Sequence, residues 1–358
     1  MDTYKKTDNT LYSIAQKLST IPCAPLNLEE EREKFFRSET YNPTFKYPKP
    51  SPELEKYKGE LRQLKIEPSP ISRIFNEKRN ELIKIIEMMQ AIGTTRFTER
   101  SINLYDSPDD ALVRYAWKLI KLHDVPEKTY IATSEAVVHL TYAMQKYKCS
   151  WNVREKNMVA RACVDMTRKT LWIKKDTFFT KKFIARLIVH EIGTHIVRHE
   201  NGSQQPYKIF AQGMSGYLET EEGLAVLNEE LNNCLTKATI KTYAARVIAV
   251  HKAIQCTFRE TYNYLLPYVG KDNAFEITMR AKRGISNTFF PGAFTKDHLY
   301  LKGYFEVKKY LTNGGDLQKL YYGKIGIKDI SDAEKILGLI NPLFLTKMKH
   351  YTNQIRYR

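Results

Sequence analysis

The sequence predicts an α+β fold that is mainly helical, with a small antiparallel sheet next to one helix of unusual composition. Three observations lead there. Apolar residues recur at helical spacing along most of the 358 residues. Two short runs rich in strand-forming residues, separated by four turn-like residues, interrupt that pattern around position 165. Directly after them a helical pattern resumes through Leu187 to Glu200, LIVHEIGTHIVRHE, which carries a histidine-glutamate pair and a second histidine five residues on.

The first 70 residues are punctuated by Pro22, Pro25, Pro43, Pro48, Pro50, Pro52, Pro68 and Pro70, with short helical patterns such as Asn27 to Arg37 between them. Such a segment, 1–70, is suited to wrapping around a domain. The domain itself is expected over 71–358. Its first part, 71–150, reads as helical. From Ile71 to Met89, apolar residues at Ile74, Phe75, Leu82, Ile85, Ile86 and Met89 give one long amphipathic helix. A second helix is expected from Ser107 to Leu122, where Ser107-Pro108-Asp109-Asp110 offers a cap, an N1 proline and first-turn acids. A third is expected over Ser134 to Tyr147. In the part 151–236, Val159 to Asp165 and Thr170 to Lys174 read as a hairpin turning at Met166-Thr167-Arg168-Lys169. Phe183, Ile184, Leu187, Ile188, Ile192 and Ile196 then mark the next helix, and Thr220 to Cys234 another. In 237–358, helices are expected over Lys241 to Leu265 and Ile330 to Gln354. No repeat or low-complexity tract is evident.

Composition narrows the class. At 42% hydrophobic residues, the chain can bury a substantial core. No run approaches the roughly 18 uninterrupted apolar residues of a membrane span, and the N-terminus MDTYKKTDNT has no signal-like apolar stretch, so no membrane partner is expected. Five scattered cysteines without a C-x-x-C pair suit a reducing cytoplasm. The 57 Lys and Arg exceed the 40 Asp and Glu to give a net charge of +17, which favours acidic partners. Without a helix-turn-helix, zinc-finger or aromatic RNA-binding signature, nucleic acid is not the expected one.

The chemistry centres on His190-Glu191-Ile192-Gly193-Thr194-His195. A catalytic zinc needs imidazole and carboxylate ligands that converge tetrahedrally and leave one position open. The usual H-E-x-x-H spacing achieves this because residues four apart on an α-helix differ by about 40° around the axis, whereas residues five apart differ by about 140°. His190 and His195 can share an ion only if the helix widens to i→i+5 hydrogen bonding near Ile192 to Thr194. Gly193 suits such a distortion. A third ligand is expected from the following helix, where Thr220-Glu221-Glu222-Gly223-Leu224-Ala225 places threonine as a cap and acids in the first turn. Glu222 precedes the glycine as the ligand glutamate does in the N-E-G-F-A run of aminopeptidase-type gluzincins. That analogy favours it over Glu221.

HEIGTH, Asn201-Gly202, Gln205-Pro206 and TEEGLA are followed by Arg280-Ala281-Lys282-Arg283-Gly284, Pro291-Gly292-Ala293-Phe294-Thr295-Lys296-Asp297 and Tyr300-Leu301-Lys302-Gly303. Together they resemble the microtubule-associated tyrosine carboxypeptidases, a family with bacterial relatives that carry a Q-E-G-L-A motif. The resemblance runs from about Asn27 to the C-terminus. It implies a gluzincin-like zinc peptidase core, zinc (Zn2+) held by His190, His195 and Glu222, and Glu191 as general base. The bacterial motif has glutamine at the position of Glu221, a poor zinc ligand, which again points to Glu222. The run Gly213 to Glu219, GMSGYLE, looks more like the bacterial relatives than the animal enzymes.

The expected reaction is removal of a C-terminal residue, tyrosine or another aromatic, from a flexible acidic tail such as that of tubulin. Tyr300 is the candidate oxyanion donor, with Tyr243 behind it. Arg280, Lys282, Arg283 and Arg246 are candidates for the substrate's terminal carboxylate, which suits arginine's planar fork. Lys174, Lys175, Lys181 and Lys182 read first as a solvated face. Two other readings keep the same residues: a basic binding protein for nucleic acid or acidic polymers with a degenerate metal site, and a zinc endopeptidase or aminopeptidase on the same scaffold.

Overall fold

A computed structural model describes residues 3–18, 21–69, 71–123, 129–158 and 160–344. Among the described residues the chain is mainly helical with two small sheets, and it divides into two compact units. The first comprises Met1–His123 with Lys237–Lys302, and the second Asp124–Thr236 with Gly303–Arg358. No helix among the described residues is long and apolar enough to cross a membrane.

The first unit is helical. Helix Ser72–Gln90 buries the expected Ile74, Phe75, Leu82, Ile86 and Met89, and packs against Thr3–Lys17, Glu53–Gln63 and Phe97–Tyr105. Helix Lys237–Ala253 packs against Asp110–Leu119, Phe258–Val269 and Lys271–Lys282. The proline-punctuated segment crosses these helices. Thr44 bridges to Asn287, the Phe45 amide donates to the Ser286 carbonyl, and Phe35 sits among the rings of Phe258, Tyr262 and Phe275. Three ring contacts made by Phe35 give that segment a reason to stay docked beyond its buried area.

Several expected boundaries move. The cap of helix Asp110–Leu119 is Asp109, whose carboxylate accepts from the Leu112 amide, and not Ser107. The single helix expected over Lys241 to Leu265 is two helices, ending at Ala253 and restarting at Phe258. Thr257 and Glu260 form a reciprocal capping box there, which satisfies amides that a continuous helix would have bonded internally. Of the helix expected over Ile330 to Gln354, the structure has one turn, Ile330–Ala333, while residues 345–354 lie outside the described residues.

The second unit holds both sheets. Strand β1 (Tyr130–Ala132) pairs antiparallel with β5 (Phe178–Thr180). The expected hairpin is present as β3 (Ala162–Asp165) against β4 (Thr170–Lys174), in register Asp165 to Thr170 through Ala162 to Ile173. Lys169 takes a positive φ of 44° in the turn, and the Asp165 carboxylate accepts from the Arg168 amide. The sheet is mixed and not purely antiparallel, because β2 (Asn152–Lys156) pairs parallel to β4. β2 reads NVREK and is almost wholly exposed, so it offers none of the apolar alternation by which a strand is recognised.

The Thr180 hydroxyl accepts from the Phe183 amide and starts a continuous helical run. It is α-helical over Lys181–Leu187, a π-helix over Ile188–Ile196, and α-helical again over Val197–Ser203. Helix Tyr217–Leu231 packs along the π-helix. Its start is Gly216, in the left-handed conformation at φ 71°, so Thr220 lies within the helix and does not cap it. Ten of its residues from Thr220 to Glu229 are buried without interruption. A helix apolar or buried all round belongs in an interior, and the carboxylates it carries there need partners.

Candidate metal centre

The widened turn carries His190 and His195 to one side. Their ring centroids are 5.0 Å apart with planes at 75°. Side chains hold the π-helix in place. The Thr194 hydroxyl donates to the Val189 carbonyl, five residues back, at 2.9 Å. Asn228 Nδ2 donates to that same hydroxyl at 2.7 Å and to Tyr321 Oη at 2.9 Å, and Tyr321 Oη donates to the Gly193 carbonyl at 3.1 Å. A Cβ at 193 would stand 2.9 Å from Tyr147 Oη, so that hydroxyl would have to move to admit a side chain.

Both histidines turn Nε2 toward Glu222. Glu222 Oε2 lies 3.7 Å from His190 Nε2 and 3.8 Å from His195 Nε2, and no two of the three ligand atoms are more than 4.8 Å apart. Ligands at about 2.0–2.1 Å from a tetrahedral zinc stand roughly 3.4 Å from each other, so the carboxylate oxygen needs to close on each imidazole by only a few tenths of an ångström. Glu222 Oε2 is also buried with no hydrogen-bond partner. A carboxylate oxygen left thus between two imidazole nitrogens is costly unless a cation or a proton meets it. The donor set, two nitrogens and one oxygen, suits zinc.

The far nitrogens are each held by a carboxylate. His190 Nδ1 is 2.7 Å from Glu229 Oε1, which also receives Arg186 at 3.3 Å. His195 Nδ1 is 2.9 Å from Glu221 Oε1. Such carboxylates fix the tautomer and free Nε2 as a ligand. Glu221 is itself buried and receives Lys324 at 2.8 Å and the guanidinium of Arg198. Burial alone would raise its pKa, but the charges of Lys324 and Arg198, with the bond to His195, hold it well below the usual carboxylate range. Arg198 donates further to the carbonyls of Leu320 and Ile325 at 2.8 and 2.6 Å. Burial pulls the His195 pKa down, yet the hydrogen bond to Glu221 and the charges of Glu221, Glu222 and Glu191 leave it raised.

Glu191, half-buried beside His190, acts electrostatically on both His195 and Cys163 of β3. The glycine after Glu222 is explained by packing. A Cβ on Gly223 would lie 2.0 Å from the Gly303 carbonyl carbon, and one on Gly303 would lie 1.9 Å from the Glu219 carbonyl oxygen. TEEGLA and YLKG are therefore two sides of one backbone contact.

The candidate substrate residues belong to the first unit. Arg280 is bidentate to buried Asp297, through Nε at 2.5 Å and Nη2 at 3.0 Å, and Arg283 reaches the same carboxylate at 3.4 Å. Burial would raise the Asp297 pKa, but Arg280, Arg283 and Arg246 hold it far down. Lys282 turns inward: it is fully buried and donates to the carbonyls of Ala253, Cys256 and Phe290 at 3.1, 2.5 and 3.1 Å. Burial lowers its pKa to about 7. Arg246 stands 4.7 Å from the ring centroid of Tyr300 and 5.5 Å from that of Tyr243. Those rings stack 5.4 Å apart at 10°, and Arg246 Nε is buried without a hydrogen-bond acceptor. Lys175, Lys181 and Lys182 are exposed and Lys174 half-buried.

Sequence reasoning did not find Glu229, Asn228, Tyr321, Arg198 or Lys324, and gave Asp297 no role. A signal existed for two of them. Glu229 follows Glu222 by seven residues and Asn228 follows Glu221 by seven, two helical turns each, which places each pair along one side of the helix.

Residues 33–355 match the family model described as microtubule-associated tyrosine carboxypeptidase. The chain is 28% identical over 368 residues to microtubule-associated tyrosine carboxypeptidase 1 of Mus musculus, covering 96% of this chain and 70% of that protein. It is 28% identical to the proteins of the same name from Rattus norvegicus and Homo sapiens, covering 93% of this chain and 66% of each of them.

Proposed function

The chain belongs to the microtubule-associated tyrosine carboxypeptidase family, and on that premise we propose that it is a zinc metallocarboxypeptidase with a gluzincin-like core. It removes a C-terminal residue, tyrosine or another aromatic, from a flexible acidic tail. The observation that carries this reading is the buried, unpartnered Glu222 Oε2 between His190 Nε2 and His195 Nε2. These three residues would hold the ion. Zinc bound there supplies Lewis-acid polarisation of the scissile carbonyl and a water of lowered pKa.

The protein's own groups do the rest. Glu191 takes the proton of the attacking water and delivers it to the leaving amine. Glu229 and Glu221 keep the two imidazoles in the tautomer that presents Nε2. Tyr300 is the proposed oxyanion donor. Arg246 and Arg283, each with a buried Nε that has no acceptor, are the foremost candidates for the terminal carboxylate, followed by Arg280, which Asp297 holds through two nitrogens. Lys282, with its protons given to backbone carbonyls, is left out of that proposal.

The relatives' name associates them with microtubules, which makes a tubulin tail the first substrate to offer and the cytoplasm the place to look. The net charge of +17 suits an acidic tail. The test compares wild type with Glu191→Gln on acidic peptides ending in tyrosine, with zinc measured in both. Retained zinc with abolished cleavage supports the reading. Unchanged cleavage removes Glu191 as base, and salt-sensitive nucleic-acid binding without peptidase activity favours the basic binding protein instead.

A further inference from the structure

A cavity of about 720 Å³ opens in the second unit between the start of helix Tyr217–Leu231, the end of helix Leu299–Thr312 and the turn Gly326–Lys328. Its volume falls within the range of small-molecule sites, roughly 300–1,000 Å³. Two carboxylates, Glu219 and Glu306, and two ammonium groups, Lys309 and Lys328, line it together with Tyr310 and Asn313. From this balance of charge we propose that the cavity binds a small aromatic zwitterion, a free α-amino acid. A simple anion would meet two carboxylates there and a simple cation two lysines, whereas a molecule with both charges can answer both sets.

Tyr310 on one wall is held in place. The Tyr310 hydroxyl donates to the Asp316 carbonyl at 3.1 Å and accepts from the Asp316 amide at 3.0 Å. Its ring lies flush against Gly315, where a Cβ would come within 2.5 Å of it. The ring is thus a fixed face for an aromatic side chain to pack on. Glycines at 216, 314 and 326 leave parts of the wall as bare backbone.

The site is wired to the metal centre. The Ile327 amide donates to the Thr220 hydroxyl at 3.1 Å, next to Glu221 and Glu222. The same stretch of chain, a few residues earlier, supplies the Leu320 and Ile325 carbonyls to Arg198 and the Lys324 ammonium to Glu221. A ligand that touches Lys328 and Glu219 touches both pieces that orient His195. Occupancy and the order of the centre are then coupled, and any such coupling is reciprocal.

The experiment is calorimetry on the full chain carrying Glu191→Gln, so that binding is read apart from any cleavage and its failure leaves the proposed reaction untouched. The probe is L-phenylalanine, compared with phenethylamine, which lacks the carboxylate, and 3-phenylpropionate, which lacks the ammonium. Binding of the amino acid is expected, weakened at least about tenfold by either truncation and by Glu306→Gln or Lys309→Ala. Hydrogen exchange on the same sample is expected to show protection over 306–328. No heat at millimolar amino acid, equal binding of the truncated compounds, or binding and protection that survive both substitutions would each overturn the proposal.

Discussion

Glu222 Oε2 is nearly equidistant from His190 Nε2 and His195 Nε2, at 3.7 and 3.8 Å, although the two histidines are five residues apart and would diverge on a regular α-helix. The π-helix Ile188–Ile196 makes that equidistance, and buried side chains make the π-helix.

Thr194→Val removes the donor to the Val189 carbonyl and the acceptor of Asn228 while keeping the shape of the side chain. Leaving buried polar groups unsatisfied costs about 1–3 kcal/mol. Denaturant unfolding is expected to show that loss, and competition with a chelator a weaker hold on zinc. A variant as stable as wild type with equal metal affinity would mean that the widened turn needs no such clamp.

Glu229→Gln and Glu221→Gln separate orientation from stability. Each is expected to weaken zinc binding by about 10- to 100-fold, because each orients one imidazole. Glu221→Gln is expected to be the more destabilising, since it strands the buried Arg198 and Lys324, a loss on the order of 3–5 kcal/mol when a buried ion pair is broken. Equal melting temperatures for the two variants would contradict that network.

Gly223→Ala tests the crossing at Gly303. The added methyl has no space at 2.0 Å from backbone, so the helix carrying Glu222 must shift. A loss of about 1–3 kcal/mol or more is expected, with weaker zinc binding alongside it. A stabilised variant, as alanine usually gives inside a helix, would show that the contact yields.

The buried Lys282 gives the stability a pH dependence. Its folded pKa is about 7 against an ordinary 10.5. Below pH 7 both folded and unfolded chains hold the proton and the desolvation cost is fully present. Between 7 and 10.5 the unfolded chain holds a proton that the folded chain has lost, so stability rises with pH. Relative to Lys282→Met, wild type is expected to gain on the order of 2 kcal/mol between pH 7 and 9. Parallel pH profiles for the two proteins would show that the three carbonyl acceptors keep the ammonium charged.

Much of this centre was legible from residue spacing. The extra residue in H-E-x-x-x-H implied a widened helix, and TEEGLA supplied the glutamate that the structure brings to both histidines. The β3–β4 hairpin was legible because apolar runs flank a turn. Part of what the spacing did not reveal came from elsewhere in the chain: Lys324, Tyr321 and the Leu320 carbonyl reach the centre from about a hundred or more residues away. Lys282 misled for a different reason. In RAKRG it looks like its neighbours, and only tertiary packing turns it toward the end of helix Lys237–Ala253. β2 escaped notice because an exposed edge strand needs no apolar pattern.

The central claim is hydrolysis at a free C-terminus, and the most direct test is mass spectrometry on a matched pair of acidic peptides ending in tyrosine, one with a free carboxylate and one amidated. Loss of a single tyrosine from the free acid and none from the amide is the predicted result. Cleavage of the amidated peptide at an equal rate, or cuts at internal bonds of both, would contradict it.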